Sequence, residues 1–199
     1  MPIVFVLVAT VVAAAQRPTL LVFGDSLSAG YGLPQDTGWV SLLQQRLQTT
    51  KSSYRVVNAS ISGETSAGGH VRLAATLKQY QPRVLILQLG GNDGLRGLPV
   101  NVFRANMDAM INLALAAKAK VLLVGIRLPT NYGKSYREKF QIAFDELAQR
   151  NRIALVTSLL DSVEARRELF QPDGVHPAKE AQPILLDNVW RRLAPLLVN

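Results

Sequence analysis

Ser26 stands where an apolar run, Thr19-Leu-Leu-Val-Phe23, gives way to Gly24-Asp25 and then to small residues. That pattern is how a buried strand ends and turns toward a helix. In an open α/β sheet, ligands sit beyond the carboxyl ends of the strands, so a hydroxyl placed there is a candidate nucleophile. A serine at a strand end is by itself more often a turn former. The rest of the chain must therefore supply a base, an orienting acid and oxyanion donors. A serine hydroxyl becomes a useful nucleophile only when a base takes its proton, and histidine suits that task near neutrality. The chain has 2 histidines. His70 follows Gly68-Gly69 at a helix start and reads as a surface residue. His176 lies in Gln171-Pro-Asp-Gly-Val-His-Pro177, with Asp173 ahead of it on the same turn. That spacing lets the carboxylate fold back onto the imidazole N–H, fix its tautomer and stabilise the imidazolium. Taken alone, the stretch is more often a structural Asp-Gly turn with a capping His before Pro177.

Two further turns offer donors for a developing oxyanion. Asn58-Ala-Ser-Ile-Ser-Gly63 ends a second apolar stretch, and Gly90-Gly-Asn92-Asp93-Gly94 ends a third. The Asn92 side-chain amide, the Gly63 N–H and the Ser26 N–H would surround the oxyanion. Asp93 is expected to be a hydrogen-bond partner behind this group. Asp25 is unsuited to be the triad acid, because its side chain should point away from that of Ser26.

These residues can meet only if the elements carrying them end at one edge. Strands are expected at 19–23, 54–59, 83–89, 121–126 and 153–157. The third is nearly continuous in apolar residues, as strands covered on both faces are. A first helix is expected over 38–49 on Trp39, Leu42, Leu43 and Leu47, after a loop through Gly30 and Pro34. A short second helix rests on Val71, Ala74, Ala75 and Leu77. A third starts at Pro99 and runs through Val102, Met107, Met110, Ile111 and Leu113 to about Lys118. The fourth carries the stripe Tyr136, Phe140, Ala143, Phe144 and Leu147, and Ser135-Tyr-Arg-Glu138 before it fits a capping box. A last helix covers 179–192, with Pro183 acceptable only in its first turn. Strands alternating with helices predict a parallel sheet with helices on both faces and right-handed crossovers.

Composition narrows the function classes. The 199 residues fit one domain, and 48% hydrophobic with 18% charged residues is globular. With Cys 0, thiol nucleophiles, disulfides and thiolate metal sites are excluded. The formal net charge of +8 favours anionic surfaces. The basic residues are scattered, with no block and no basic–aromatic stripe, so nucleic acid is not an expected partner. Residues 1–15 carry no charge, are too short to span a bilayer comfortably, and end in Ala13-Ala14-Ala15. They read as a signal peptide cut after Ala15, although no Lys or Arg precedes the apolar run. The expectation is a periplasmic or secreted protein whose mature chain, 16–199, is one domain with no integral membrane segment.

Gly24-Asp-Ser-Leu27, Gly63, Gly90-Gly-Asn92-Asp93 and Asp173-Gly-Val-His176 together resemble the SGNH (GDSL) hydrolase superfamily, in all four of its sequence blocks and in order. Asn58-Ala-Ser-Ile-Ser-Gly63-Glu-Thr-Ser-Ala-Gly68 and Leu128-Pro-Thr-Asn-Tyr132 resemble more narrowly its bacterial thioesterase I, arylesterase and lysophospholipase branch. The resemblance implies a flavodoxin-like three-layer α/β/α sandwich with a five-stranded parallel sheet in the order 2-1-3-4-5. It implies Ser26 as nucleophile, His176 as base and Asp173 as orienting acid. Ser26, Gly63 and Asn92 would then be the oxyanion donors. It further implies that Leu128, Pro129 and Tyr132 lie in a loop lining the acyl groove. It implies no metal and no cofactor. The substrate would be a small acyl ester or thioester, including aryl esters, acyl-CoA and lysophospholipids, cleaved through an acyl-enzyme by a monomer. Ser28 stands where a G-x-S-x-G elbow would carry its second glycine, which argues against an α/β-hydrolase. Three alternatives stay open. A carbohydrate O-acetylesterase would use the same residues. A flavodoxin-like phosphate or flavin binder would leave Asp173 and His176 idle, and the chain lacks both G-x-x-x-x-G-K-[ST] and G-x-G-x-x-G. A non-catalytic binding domain would have no use for the four reactive positions.

Overall fold

The computed structural model describes residues 17–198. The expected signal peptide and its cut after Ala15 lie outside the described residues. Five strands, β1 (Thr19–Gly24), β2 (Arg55–Asn58), β3 (Val84–Gln88), β4 (Lys120–Val124) and β5 (Ala154–Val156), form one sheet. Every pairing is parallel and the order is β2-β1-β3-β4-β5, as expected. β1 and β3 are buried along their whole length, which is why they read as unbroken apolar runs. Their register sets Gly24 opposite Gln88. Both strands therefore end at one level, and the turns carrying Ser26 and Asn92 leave the sheet side by side.

Among the described residues, seven α-helices accompany the sheet. They are α1 (Ser26–Ala29), α2 (Trp39–Thr49), α3 (Ser66–Tyr80), α4 (Gly91–Leu95), α5 (Val100–Ala116), α6 (Lys134–Asn151) and α7 (Gln182–Leu193). α2 packs on α7, while α3, α5 and α6 pack in a row. Between α5 and α6, Phe103 stacks on Phe140 at 4.6 Å and meets Phe144 edge-on at 5.2 Å. The aromatics of the fourth expected helix are thus core. Pro183 falls in the first turn of α7, where its missing N–H costs nothing.

Four expectations need correction. α1 and α4 are single turns of helix where loops were expected, each too short to show a 3.6-residue period. α3 is longer than the short helix expected, and its inward face is different: Val71, Ala74 and Ala75 point outward, Val71 at 85% exposure, while Gly69, Leu73, Thr76 and Leu77 face in. In α5, Met107, Met110 and Ile111 are buried, but Val102 and Leu113 are exposed. The capping box at Ser135 does not form. α6 already begins at Lys134 with Gly133 as its cap, so Ser135 sits inside the first turn and no side chain caps the helix.

Candidate active site

Ser26 is the first residue of α1, directly after β1. Asp25 caps this turn: its Oδ1 accepts the Leu27 N–H at 3.0 Å. As the first residue of a helix, Ser26 has no intrahelical acceptor for its own N–H. The turn is held from behind. Ser28 Oγ donates to Gln88 Oε1, and Gln88 Nε2 donates to Asp25 Oδ1 at 3.1 Å. Trp39 Nε1 donates to the Leu27 carbonyl at 3.1 Å. The Asp25 carboxylate is thus engaged by Leu27 and Gln88. Its other oxygen, Oδ2, is buried and has no hydrogen-bond partner. Burial pushes the Asp25 pKa from 3.8 up to about 6, against the Leu27 N–H and Gln88, which favour the charged form.

His176 reaches Ser26 from the far end of the chain. Its Nε2 lies 2.9 Å from Ser26 Oγ, and its Nδ1 lies 2.7 Å from Asp173 Oδ2. Asp173 Oδ1 meanwhile accepts the backbone N–H of Val175 at 2.9 Å and of His176 at 3.0 Å. These two backbone bonds, with the imidazole bond added, hold the Asp173 pKa down to about 2. An ionised carboxylate only accepts. The proton of a neutral ring therefore sits on Nδ1, and the Nε2 lone pair faces the serine hydroxyl. The loop is closed by Gln171 N–H to the His176 carbonyl at 2.8 Å and by Ala178 N–H to the Leu169 carbonyl at 2.7 Å.

Asn92 lines the same cleft as Ser26 and His176, whereas Gly63 is not among its lining residues; the turn carrying Gly63 is tied to the end of β1 by the Ile61 N–H donating to the Gly24 carbonyl at 2.9 Å. Asn92 Nδ2 donates to the Glu64 carbonyl at 3.0 Å; the amide carries a second N–H that this bond leaves over. Gly63, next to Glu64, takes a φ of 81°, a left-handed conformation that only glycine adopts freely, and its carbonyl accepts from Arg96 Nη2 at 3.1 Å. Asp93 ties the two turns together, accepting Ser66 Oγ at 2.6 Å and the Ser66 N–H at 2.8 Å. It is the supporting partner expected.

A cleft of about 490 Å³ opens at this point, lined by Ser26, Asn92 and His176 together with the apolar Ile126, Leu128, Leu160 and Phe170. Leu128 and Pro129 line it, as expected of that loop. Tyr132 is not among the lining residues. Its hydroxyl donates to the Leu95 carbonyl at 2.9 Å, so it fastens the loop rather than facing the cleft. His70 is exposed, as expected. Among the described residues, no group of three or more His, Asp or Glu is placed to hold a metal ion.

Three residues around the site carried no readable signal in the sequence. Gln182 is buried at 1% exposure; its Oε1 accepts the Trp39 N–H at 3.0 Å, and its Nε2 donates to the carbonyls of Pro177 at 3.3 Å and Ala178 at 3.2 Å. Gln171 Nε2 donates to the Tyr31 carbonyl at 2.8 Å. The Tyr31 ring sits 4.5 Å from the imidazole, centre to centre. Each acts through a contact with a residue distant in the chain, which local pattern cannot reveal.

A parallel five-stranded sheet with a serine, an imidazole and a carboxylate in line at its carboxyl edge defines a hydrolase class, and similarity agrees with it. The chain belongs to the GDSL-like lipase/acylhydrolase family, whose model matches residues 22–182. It is 51% identical over 185 residues to the esterase TesA of Pseudomonas aeruginosa, covering 93% of this chain and 91% of that one. It is 42% identical over 197 residues to the thioesterase 1/protease 1/lysophospholipase L1 of Escherichia coli K12, covering 99% of this chain and 93% of that one. A crystal structure of TesA superposes with a TM-score of 0.88 at 50% identity, covering 89% of this chain and 99% of that one. The family resemblance read from the four sequence blocks is borne out.

Proposed function

We propose that this chain is a serine esterase and thioesterase that hydrolyses acyl esters and thioesters through an acyl-enzyme. The observation that carries the proposal is the unbroken line Asp173–His176–Ser26, at 2.7 and 2.9 Å, with Ser26 and His176 lining a largely apolar cleft. Ser26 Oγ attacks the acyl carbonyl carbon while its proton passes to His176 Nε2. The carbonyl electron pair moves onto oxygen, where the N–H groups of Ser26 and Gly63 and the Asn92 amide stabilise it. Asp173 stabilises the imidazolium through Nδ1–H. The intermediate collapses, the C–O or C–S bond breaks, and Nε2 gives its proton to the leaving alcohol or thiol. Water then attacks the acyl-serine by the same route in reverse. The acid is released and Ser26 regains its proton.

The names of the relatives support acyl esters, thioesters and lysophospholipids as the substrate range, and the cleft's apolar lining supports acyl chains longer than acetyl. Hydrolysis of p-nitrophenyl esters from acetate to dodecanoate tests this. Rates rising to medium or long chains are expected. Activity confined to acetate would instead favour a carbohydrate O-acetylesterase.

We propose further that the protein is exported and works as a monomer. The uncharged, Ala-ended stretch 1–15 supports export, and N-terminal sequencing of the mature protein should begin at Gln16. Ser26, His176 and Asp173 meet within one chain, so this line needs no residue of a second copy. No helix among the described residues is long and apolar enough to cross a membrane.

A further inference from the structure

The cleft carries a charge pattern that acyl transfer does not use. Three guanidinium groups stand on its walls, those of Arg127, Arg137 and Arg167. Arg127 is compensated: its Nη1 lies 3.0 Å from Asp161 Oδ1 and 3.3 Å from Glu164 Oε2. Arg137 donates through Nε to the Leu128 carbonyl at 3.0 Å. Neither Arg137 nor Arg167 forms an ion pair among the described residues.

The exposed Arg167 side chain lies against Gly174, between Asp173 and His176 in sequence, where a β-carbon would come 2.0 Å from Nη1. Gly174 has a φ of 69°, so the turn already requires a residue free to adopt it. Arg167 is thus an exposed cation beside the histidine turn, without an ion-pair partner among the described residues. A substrate carrying an anion close to its scissile ester would gain a bidentate partner there.

We propose that Arg167, with Arg137 from α6, forms a subsite for a phosphate group on the substrate, so that phosphate-bearing acyl esters are the favoured class. This rests on the esterase reading above. The subsite would recognise the phosphate of a lysophospholipid headgroup or of an acyl-CoA, and the acyl chain would lie against the apolar lining.

The test compares two water-soluble substrates with the same short acyl chain, a monoacylglycerol and the corresponding monoacylglycerol phosphate, with acyl-CoA of that chain length as a third. The quantity read is the ratio of kcat/KM for the phosphate ester to kcat/KM for the neutral one. The wild-type ratio is expected to exceed unity and to fall as salt is raised to about 0.5 M, where screening is short-ranged. Arg167→Gln is expected to lower the ratio roughly tenfold, the scale of one charge-assisted hydrogen bond, and to flatten its salt dependence. Arg167→Glu should lower it further, and Arg167→Lys should restore part of it. A parallel loss with acyl-CoA assigns the subsite to phosphate in general; a loss with the glycerol phosphate alone assigns it to the lipid headgroup. A ratio equal in wild type, Arg167→Gln and Arg167→Glu overturns the subsite while leaving the esterase standing. A wild-type protein that cleaves none of the three substrates removes the esterase reading and the subsite with it.

Discussion

His176 Nε2 stands 2.9 Å from Ser26 Oγ, although 150 residues separate the two. The parallel sheet makes this meeting possible. β1 delivers Ser26 to the carboxyl edge at the start of the domain, and the loop before α7 brings His176 to the same edge at its end. Asp173 completes the line by dividing its oxygens, one for the loop backbone and one for the ring.

Asp173→Asn should lower kcat by roughly 10⁴-fold, because an amide can hold the ring in the wrong tautomer. The pKa near 2 implies that Asp173 itself stays ionised at any ordinary assay pH. Its depressed value contributes stability above the ordinary 3.8, and that contribution is lost as the pH falls toward about 2. Mild acidification should therefore leave Asp173 ionised, so a loss of activity there does not come from this carboxylate. Steady-state kinetics of both proteins across pH check this; an unchanged kcat in the variant would contradict it.

Asn92→Ala should lower kcat by about 10²–10³-fold, with a smaller change in KM, since the amide is asked to bind charge that exists only in the transition state. The Asn92 side chain also supports the Glu64 carbonyl. A variant whose KM rises while kcat holds would assign Asn92 to positioning that turn instead.

Gln182→Leu should destabilise the protein by about 1–3 kcal/mol, because it leaves the buried Trp39 N–H without its acceptor. The same change frees the carbonyls of Pro177 and Ala178 directly after His176. A loss of kcat beyond the loss of folded protein is expected. Urea unfolding followed by active-site titration separates the two effects.

Asp25→Asn should make the protein more stable at pH 8. Asp25 binds its proton up to about pH 6 in the folded state but only to 3.8 when unfolded. Between these values the native state holds more protons, so the wild type loses stability as the pH rises through that window. Above it, the buried charge costs about 3 kcal/mol. An asparagine keeps an oxygen for Leu27 and Gln88 and removes that charge. Urea midpoints should differ at pH 8 and converge near pH 4; a difference independent of pH would contradict the assignment.

The sheet was legible because β1, β3 and β4 are apolar runs ended by glycine or small polar residues. The candidate reactive side chains were legible because their types are rare or punctuated by glycine: a histidine beside Asp-Gly, a serine after Gly-Asp. α3 was misphased because its inward face contains Gly69, whose lack of a side chain lets the helix close on Leu89 and Phe23, so the position carries no hydrophobic signal. Val71 was misleading for the opposite reason, an apolar side chain left in solvent. Gln88 and Gln182 read as ordinary polar residues. Only partners supplied by the folded chain reveal that they hold the Ser26 turn and the His176 loop. Tyr132 was placed in the groove by its loop alone, and the fold turns its hydroxyl to Leu95.

The central claim is that Ser26 carries the acyl group. Intact mass measurement after treatment with a fluorophosphonate probe tests it directly, with the labelled peptide mapped and Ser26→Ala run alongside. One adduct on Ser26, its absence in the variant, and loss of ester hydrolysis in a variant that still folds are the predicted results. A wild type that stays unlabelled, an adduct at another residue, or a Ser26→Ala protein that keeps most of its rate would contradict the account.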